Sequence, residues 1–392
     1  MSLTRLLTIL DSTLREGEQF PGAFFSLEQR LEIARLLDAF GVNSIEVPSP
    51  CVSPATASFV RALCELGLRA SIVAHVRCVE ADVQAALDLP VSGINLFYGT
   101  SPELRSYSHG RRVEQIIAAA VPLIRRVREA GRYVRFSAED AFRSDLVDLL
   151  TIFDAVVEAG VRRIGLPDTV GIATPRQVEQ LVRLCARRYP NVGIEFHGHN
   201  DTGCAIANTI TAMEAGADCL DVTVLGVGER NGIASLSGIV AQLYIHHPDL
   251  LAGYDLSQLT RLDQYVADCL KLPIPFNMPI TADGAFTHRA GIHTRAVLND
   301  PRAYEILNPA DFGLERRVDL GSRLTGRHAI GQRAAELGLR LNAEEVNCVT
   351  SAIKERAEHG PLSTAEVDDF LYAWCQRERN GVVMNLQTCK IP

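Results

Sequence analysis

The sequence predicts an α/β fold, a (β/α)8 TIM barrel followed by a mainly helical C-terminal region. Short β-rich runs alternate with helical patterns over roughly the first 230 residues, an order typical of a parallel sheet. Eight such units match a closed barrel, and polar residues follow nearly every strand. An open, doubly wound sheet is the alternative. We predict a TIM-barrel catalytic domain over residues 1–250 and a helical lid or dimerisation region over residues 251–392.

Eight runs rich in apolar and β-branched residues give the predicted strands. In chain order they are residues 6–10, 44–47, 70–74, 94–98, 133–137, 163–166, 193–196 and 220–224. Their spacing of roughly 30 residues leaves room for one helix after each strand. The regular repeat therefore predicts one parallel barrel.

The helical pattern is clearest at residues 26–41. Ser26 is a favourable N-cap, Gln29 completes a capping box, and Gly41 has the usual C-terminal position. Apolar residues between them recur at helical spacing. Similar patterns predict helices at 55–66, 112–130, 144–159, 175–187 and 203–215.

Composition and charge argue against several classes of protein. The net charge is −8 and the basic residues are interspersed with acids, so neither nucleic acid nor membrane is an expected partner. No apolar run reaches the roughly 20 residues of a membrane span, and the first residues lack a signal-peptide pattern. The 10 cysteines include no CxxC pair, so reduced thiols are expected. We expect a cytoplasmic protein.

Polar side chains cluster at the ends of the predicted strands. A closed barrel gathers the carboxyl ends of its strands into one ring, where the active sites of this fold lie. We therefore expect these residues to share one site. They are Asp11, Arg15, Glu16, Glu46, His75, Arg77, Asn95, Arg135, Ser137, Glu139, Asp168, Thr169, His197, His199, Asn200, Glu229, Arg230 and Asn231.

The stretch FHGHNDTGC at 196–204 carries two histidines at the end of the seventh strand. On an extended segment, His197 and His199 point to the same side and can reach one ion. Imidazole suits a divalent transition metal, and Glu16 is a candidate carboxylate ligand. The alternative is a pair of polar residues where a strand meets a loop.

Several long motifs resemble one known family. DSTLREGEQF (11–20), FHGHNDTGCAIAN (196–208), VLGVGERNG (224–232) and FTHRAGIH (286–293) are similar to the Claisen-condensing branch of the DRE-TIM metallolyases. That branch includes the isopropylmalate and homocitrate synthases. RFSAEDAFRSD (135–145), DTVGIATPRQV (168–178) and SRLTGRHAI (322–330) favour a homocitrate synthase-like member. The resemblance covers nearly the whole chain.

The resemblance implies a metal-dependent acyltransferase. The reaction would condense acetyl-CoA with a dianionic 2-oxo acid, foremost 2-oxoglutarate to give (R)-homocitrate. A divalent metal (Mg, Mn or Zn) would be held by Glu16, His197 and His199. The implied catalytic residues are Arg15, Glu139, His293 and Tyr304, with the last two supplied by the partner subunit of a homodimer. The implied substrate-binding residues are Arg15, Gln19, His75, Arg135, Ser137 and Thr169.

Three departures from the family pattern bear on the substrate. Asn95 stands where lysine-type homocitrate synthases carry an Asp that helps to bind the inhibitor lysine, together with the acid matching Glu195. An amide binds an ammonium group less well, so lysine inhibition and a role in lysine synthesis are in question. Pro48 and Pro167 also differ from the pattern and would stiffen the pocket rim.

Other functions remain open from the sequence. Within the class, the enzyme could use phosphonopyruvate and make 2-phosphonomethylmalate. From other classes, it could be a non-catalytic metabolite-binding regulator or a carbon–carbon lyase acting on an acyl-CoA. The residues have structural alternatives too: Arg15 and Glu16 fit a surface ion pair, His75 a core histidine, Arg135 a bridge between loops, and Glu139 a helix N-cap.

Overall fold

The computed structural model describes residues 6–379, and its first part is a closed barrel of eight parallel strands. Each strand pairs with the strands before and after it in the sequence, and the first also pairs with the last. The predicted fold class is therefore confirmed. The strands are β1 (Thr8–Asp11), β2 (Ser44–Pro48), β3 (Ser71–Arg77), β4 (Gly93–Gly99), β5 (Tyr133–Glu139), β6 (Arg163–Asp168), β7 (Gly193–Gly198) and β8 (Cys219–Val222).

Helices surround the barrel and bury their apolar faces against it. They are α1 (Leu27–Phe40), α2 (Pro54–Cys64), α3 (Glu80–Leu87), α4 (Val113–Glu129), α5 (Leu146–Ala159), α6 (Pro175–Arg188), α7 (Ala205–Ala215), α8 (Leu236–His246) and α9 (Leu259–Leu270). Six of them correspond to helices that the sequence analysis placed. No bounds were predicted for α3, α8 or α9. The helix α3 has only eight residues, and α8 is buried on most sides, so neither shows a clear amphipathic period. The helix α9 falls in the region after residue 250 that was predicted to be mainly helical.

The start of α1 has the predicted capping box. The Ser26 hydroxyl accepts a hydrogen bond from the Gln29 backbone N–H at 3.2 Å, and the Gln29 side chain accepts from the Ser26 N–H at 2.8 Å. Gly41 ends the helix with φ of 107°, a conformation that favours glycine. Leu37 and Phe40 are fully buried, which fixes the helix against its surroundings.

The chain divides into two compact units, the first ending at Ala282 and the second beginning at Asp283. The second unit contains α10 (Gly291–Asn299), α11 (Arg327–Glu336), α12 (Ala343–Arg356) and α13 (Thr364–Arg379). It has its own core, which includes Ile330, Val349, Ile353, Leu371 and Trp374. The lid or dimerisation role of the C-terminal region stays a prediction.

Across residues 6–379, every helix is too short or too polar to span a membrane.

We predict that Ser26→Ala lowers the free energy of unfolding by about 1 kcal/mol, because it removes the N-cap of α1. Urea denaturation followed by circular dichroism measures this. Ser58→Ala is the matched control, since Ser58 is exposed on α2 and its hydroxyl donates only to the carbonyl of Pro54. Equal midpoints for the two variants would contradict the capping role.

Candidate active site and metal centre

A pocket of about 210 Å³ is lined by side chains from the carboxyl-terminal parts of the barrel strands and the loops that follow them. It contains every barrel residue to which the family resemblance assigned a catalytic, substrate-binding or metal-ligating role. These are Arg15, Glu16, Gln19, His75, Arg135, Ser137, Glu139, Thr169, His197 and His199. Closure of the barrel explains their convergence, since they come from segments up to 184 residues apart in sequence, from Arg15 to His199.

The wider set of polar residues expected at this site is brought together only in part: Asn95, Glu229 and Arg230 also line the pocket, whereas its lining does not include Asp11, Glu46, Arg77, Asp168, Asn200 or Asn231. Arg77 is exposed and pairs with Asp82 instead.

Glu16, His197 and His199 are all buried, and each offers a ligand atom within 4.8 Å of the others. The Nδ1 atom of His197 lies 2.7 Å from the Asp221 carboxylate, which orients the ring. An acceptor of this kind is the usual partner of a metal-binding imidazole, because it fixes the tautomer and strengthens the ligand. One carboxylate and two imidazoles form a donor set suited to a divalent transition metal.

The protonation states of Glu16, His197 and His199, and one unpaired ring nitrogen among them, fit a bound metal ion. Burial opposes ionisation of Glu16, but the neighbouring Arg15 and the two histidines outweigh it and lower its pKa to about 2. Burial lowers the pKa of His199 to about 4 and lowers that of His197 as well. The carboxylate is thus charged and both imidazoles neutral, as metal ligands require. The Nδ1 atom of His199 is buried without a hydrogen-bond partner among residues 6–379.

The charges around these three residues also favour a bound cation. Two guanidinium groups, those of Arg15 and Arg135, face four carboxylates, those of Glu16, Glu46, Glu195 and Asp221. Burial raises the pKa of Glu195 and of Asp221, and neighbouring carboxylates add to the rise in both. Four carboxylates against two guanidinium groups leave an excess of negative charge. A divalent cation would match that excess.

Glu46 holds the two arginines together. Arg15 donates from Nε to Glu46 Oε1 at 2.8 Å and also pairs with Glu16. Arg135 pairs with the other oxygen of Glu46, and its Nη1 lies 2.5 Å from Glu195 Oε2. Arg135 is therefore buried between two carboxylates, with an exposed fraction of only 2%. Its Nε atom is buried and has no hydrogen-bond partner in the described part of the chain, so this N–H donor is not used by the protein's own groups.

Asn95 connects three side chains of the pocket. Its oxygen accepts from the Ser137 hydroxyl at 3.0 Å, so its nitrogen faces Glu46 at 3.3 Å and the Nδ1 atom of His75 at 2.8 Å. A carboxylate can only accept, which fixes the orientation of the amide. The amide can then donate to Nδ1 of His75 when the ring proton lies on Nε2. The same Nδ1 atom also lies 3.3 Å from Glu46 Oε1. Burial lowers the pKa of His75, which is consistent with a neutral ring.

Glu139 and Thr169 also line the pocket. Burial, followed by the charge of Asp140, raises the pKa of Glu139 above the ordinary glutamate value. Asp140 has φ of 65°, and Arg143 clamps its carboxylate. The Thr169 oxygen accepts from the Asp140 N–H at 2.9 Å, so its own hydroxyl proton is available to donate. The site thus offers a weak acid or base beside a hydroxyl donor.

Comparison with known proteins defines the family. The HMGL-like family model matches residues 6–266, and the model for the homocitrate synthase post-HMGL domain matches residues 280–361. The mitochondrial homocitrate synthase of Saccharomyces cerevisiae is 46% identical over 95% of this chain and 84% of its own length. That of Yarrowia lipolytica is 49% identical over 93% of this chain and 81% of its own. The chain belongs to the homocitrate synthase family.

Solved structures agree on the fold. An HMG-CoA lyase from Bacillus subtilis superimposes with a TM-score of 0.62, at 20% identity, over 70% of this chain and 97% of the lyase. At this level of sequence identity, the likeness shows that the fold is shared and no more. The family assignment rests on the homocitrate synthases.

The remaining predicted site residues of this homocitrate synthase family member lie in its second unit. The rings of His293 and Tyr304 are 4.4 Å apart, and both residues are exposed. His288, which the same motif contains, donates to or accepts from Glu305 at 2.7 Å. Their catalytic roles stay predictions.

Asp221 is the main site residue that sequence reasoning missed. It lies within β8, in the run LDVTV, which the sequence pattern predicts only as a strand. Its partner His197 is 24 residues away, and only the pairing of β7 with β8 brings the two together. A single acid inside an otherwise apolar strand is the signal that could have identified it.

We predict that Glu16→Gln and His199→Ala each abolish metal binding and turnover while the protein stays folded, because each removes a buried ligand atom. Metal content after dialysis, measured by mass spectrometry, reports the loss directly. His247→Ala is the control, since this histidine contacts only the exposed Glu214. Full metal content in Glu16→Gln or His199→Ala would refute the assignment.

We also predict that Asp221→Asn weakens metal affinity by about 10- to 100-fold, as expected when the partner of a ligating histidine is removed. Competition with a chelator measures the change. Unchanged affinity would show that Asp221 does not orient His197.

Proposed function

We propose that this protein is a homocitrate synthase, an acyltransferase that condenses acetyl-CoA with 2-oxoglutarate to give (R)-homocitrate and free CoA. The observation that carries the proposal is identity of 46–49% to homocitrate synthases over most of the chain. It is supported by a pocket that brings together the ten barrel residues to which the family resemblance gave a role. The chemistry needs an activated ketone, a place for two carboxylates and a base for the acetyl group.

Glu16, His197 and His199 would hold the divalent metal. When bound, such a metal supplies Lewis-acid polarisation of the keto group. Arg15 lies beside Glu16 and would face the charge that develops on the keto oxygen during attack. Its guanidinium is fixed by Glu46 before substrate arrives, so little reorganisation is required. The metal would be Mg, Mn or Zn, each of which suits a site of one carboxylate and two imidazoles.

The two carboxylates of 2-oxoglutarate need separate anchors. Thr169 would donate its hydroxyl proton to the carboxylate next to the ketone, with Gln19 nearby in the same pocket. The distal carboxylate would meet the Nε2 proton of His75 and the remaining donor of Arg135. Ser137 completes this end of the pocket. Charged acceptors strengthen such hydrogen bonds about twofold relative to neutral ones.

Glu139 would remove a proton from the methyl group of acetyl-CoA. Its raised pKa makes it a stronger base than an ordinary glutamate once it is ionised. His293 and Tyr304 would act with it as acid–base groups, supplied by the partner subunit of a homodimer. The resulting enolate attacks the ketone, and water then cleaves the thioester.

The comparisons favour 2-oxoglutarate over phosphonopyruvate, since the relatives are homocitrate synthases. The regulator and lyase alternatives also lose support. A cytoplasmic location belongs to the proposal; one relative is the cytosolic isozyme of Saccharomyces cerevisiae, and others are mitochondrial.

The direct test is thiol release from acetyl-CoA by metal-stripped protein, with Mg, Mn or Zn restored. The panel contains 2-oxoglutarate, phosphonopyruvate, oxaloacetate, pyruvate and 2-oxoisovalerate. We expect metal-dependent release with 2-oxoglutarate and a product of the mass of homocitrate. Release with phosphonopyruvate and little with 2-oxoglutarate would replace the substrate but keep the reaction class. No release with any acid would overturn the proposal.

We predict that Glu139→Gln lowers kcat by about 10²- to 10⁴-fold, the usual contribution of a general base. In the unaltered enzyme, kcat/KM should fall as the pH drops through the raised pKa of Glu139, because only the ionised form accepts a proton. Asp140→Asn should move this acidic limb to lower pH, since it removes a like charge. An acidic limb that stays in place would contradict the role of Asp140.

A further prediction concerns inhibition by lysine. Asn95 offers no negative charge to an ammonium group, so we expect weak inhibition of the unaltered enzyme. Asn95→Asp should increase inhibition by lysine, measured as the lysine concentration that halves thiol release. Asn95→Ser is the control, because it also breaks the amide contacts but adds no charge. Equal sensitivity of the two variants would contradict this role of Asn95.

A further inference from the structure

A second pocket lies at the opposite end of the barrel from the candidate active site. It is formed where the loops before β5, β6, β7 and β8 meet, and its volume is about 630 Å³. Four arginines line it, and Asp218 is the one acid among its lining residues. The pocket lining therefore carries three more positive than negative charges, although the chain as a whole has a net charge of −8.

Two of the arginines have structural partners. Arg163 lies 3.1 Å from Asp218 and donates to the Tyr133 hydroxyl at 3.2 Å. Arg128 donates to the Ala159 carbonyl at 2.9 Å, a favourable contact for a cation at the carboxyl end of a helix. These contacts hold two guanidinium groups at the pocket wall.

Glycines make room for the same two side chains. A Cβ atom at Gly160 would lie 2.3 Å from Arg128 Nη1, and one at Gly193 would lie 2.9 Å from Arg163 Nε. Gly160 also has φ of 97°. The arginines can therefore lie flat against the backbone only because these positions lack a side chain.

Arg132 and Arg162 differ from the first pair. Within residues 6–379 neither has an ion pair or a side-chain hydrogen bond to a protein group, although both face the concavity. Four guanidinium groups repel one another, and only one carboxylate opposes them. A ligand with several negative charges would relieve that repulsion and use the free donor forks.

We propose that this pocket is a binding site for a small anion with at least two negative charges, carried by carboxylate or phosphate groups. Arg132 and Arg162 supply the uncommitted charges, and Arg128 and Arg163 form the preorganised wall. The site is independent of the proposed catalytic function, since it shares no lining residue with the active-site pocket.

The test is isothermal titration calorimetry of the full chain with citrate and, separately, with pyrophosphate. The variant Arg132→Gln/Arg162→Gln removes the two free charges. Its matched control, Arg125→Gln/Arg187→Gln, removes two exposed charges that lie outside the pocket and keeps the same net charge. Any binding of the probes in the active site is common to both variants, so their difference isolates the second pocket.

We expect at least one probe to bind the pocket variant about tenfold more weakly than the control or the unaltered protein, as for the loss of charge-assisted hydrogen bonds. Citrate as the better probe would indicate a carboxylate ligand, and pyrophosphate a phosphate ligand. Arg132→Lys/Arg162→Lys, which keeps the charge, should restore part of the affinity. Equal affinities in the pocket variant and its control, or no binding of either probe to the unaltered protein, would overturn the proposal.

Discussion

The shared carboxylate of Glu46 is the interaction on which the candidate active site depends. It pairs with Arg15 on one side and Arg135 on the other, and all three groups are almost wholly removed from solvent. Buried charges of this kind are expensive unless each is compensated, and loss of one partner leaves an uncompensated charge. Because Arg15 also contacts Glu16, and Arg135 contacts Glu195, the placement of the candidate metal ligand Glu16 and of the proposed substrate anchor Arg135 both depend on one glutamate.

The barrel makes this network possible because neighbouring strands set its spacing. Pairing of β3 with β4 places His75 opposite Asn95, and pairing of β4 with β5 places Asn95 opposite Arg135 and Phe97 opposite Ser137. Close approach is needed elsewhere too: a Cβ atom at Gly165 would lie 2.2 Å from the Ser137 hydroxyl. Barrel interiors are ordinarily filled with branched apolar residues. Here part of that space holds alternating charges, and the stability cost is tolerated for function.

Much of this arrangement could be predicted from the sequence, for physical reasons. Strand periodicity and the capping box of α1 are local, and the convergence of strand ends follows from barrel closure. The pairing of Arg135 with Glu46 could not be predicted, because the two are 89 residues apart and their contact depends on side-chain direction inside the barrel. The same holds for Asp221 and His197. Sequence patterns thus identified many of the residues that face the pocket, though not Asp221, and did not show which of them neutralise one another.

The amide at position 95 fits the proposed binding of a dianionic substrate in this pocket. The network already contains more carboxylates than arginines, so a further acid 3.3 Å from Glu46 would raise the pKa of its neighbours and repel the substrate. Asn95 instead donates to Glu46 and to His75, and its oxygen accepts from Ser137. In the tautomer with the ring proton on Nε2, a neutral His75 can donate that proton to an incoming carboxylate. An aspartate would accept a hydrogen bond from Nδ1–H of His75, keep its negative charge and turn the same position into a site for cations. One side-chain atom therefore decides whether this end of the pocket favours an anionic or a cationic group.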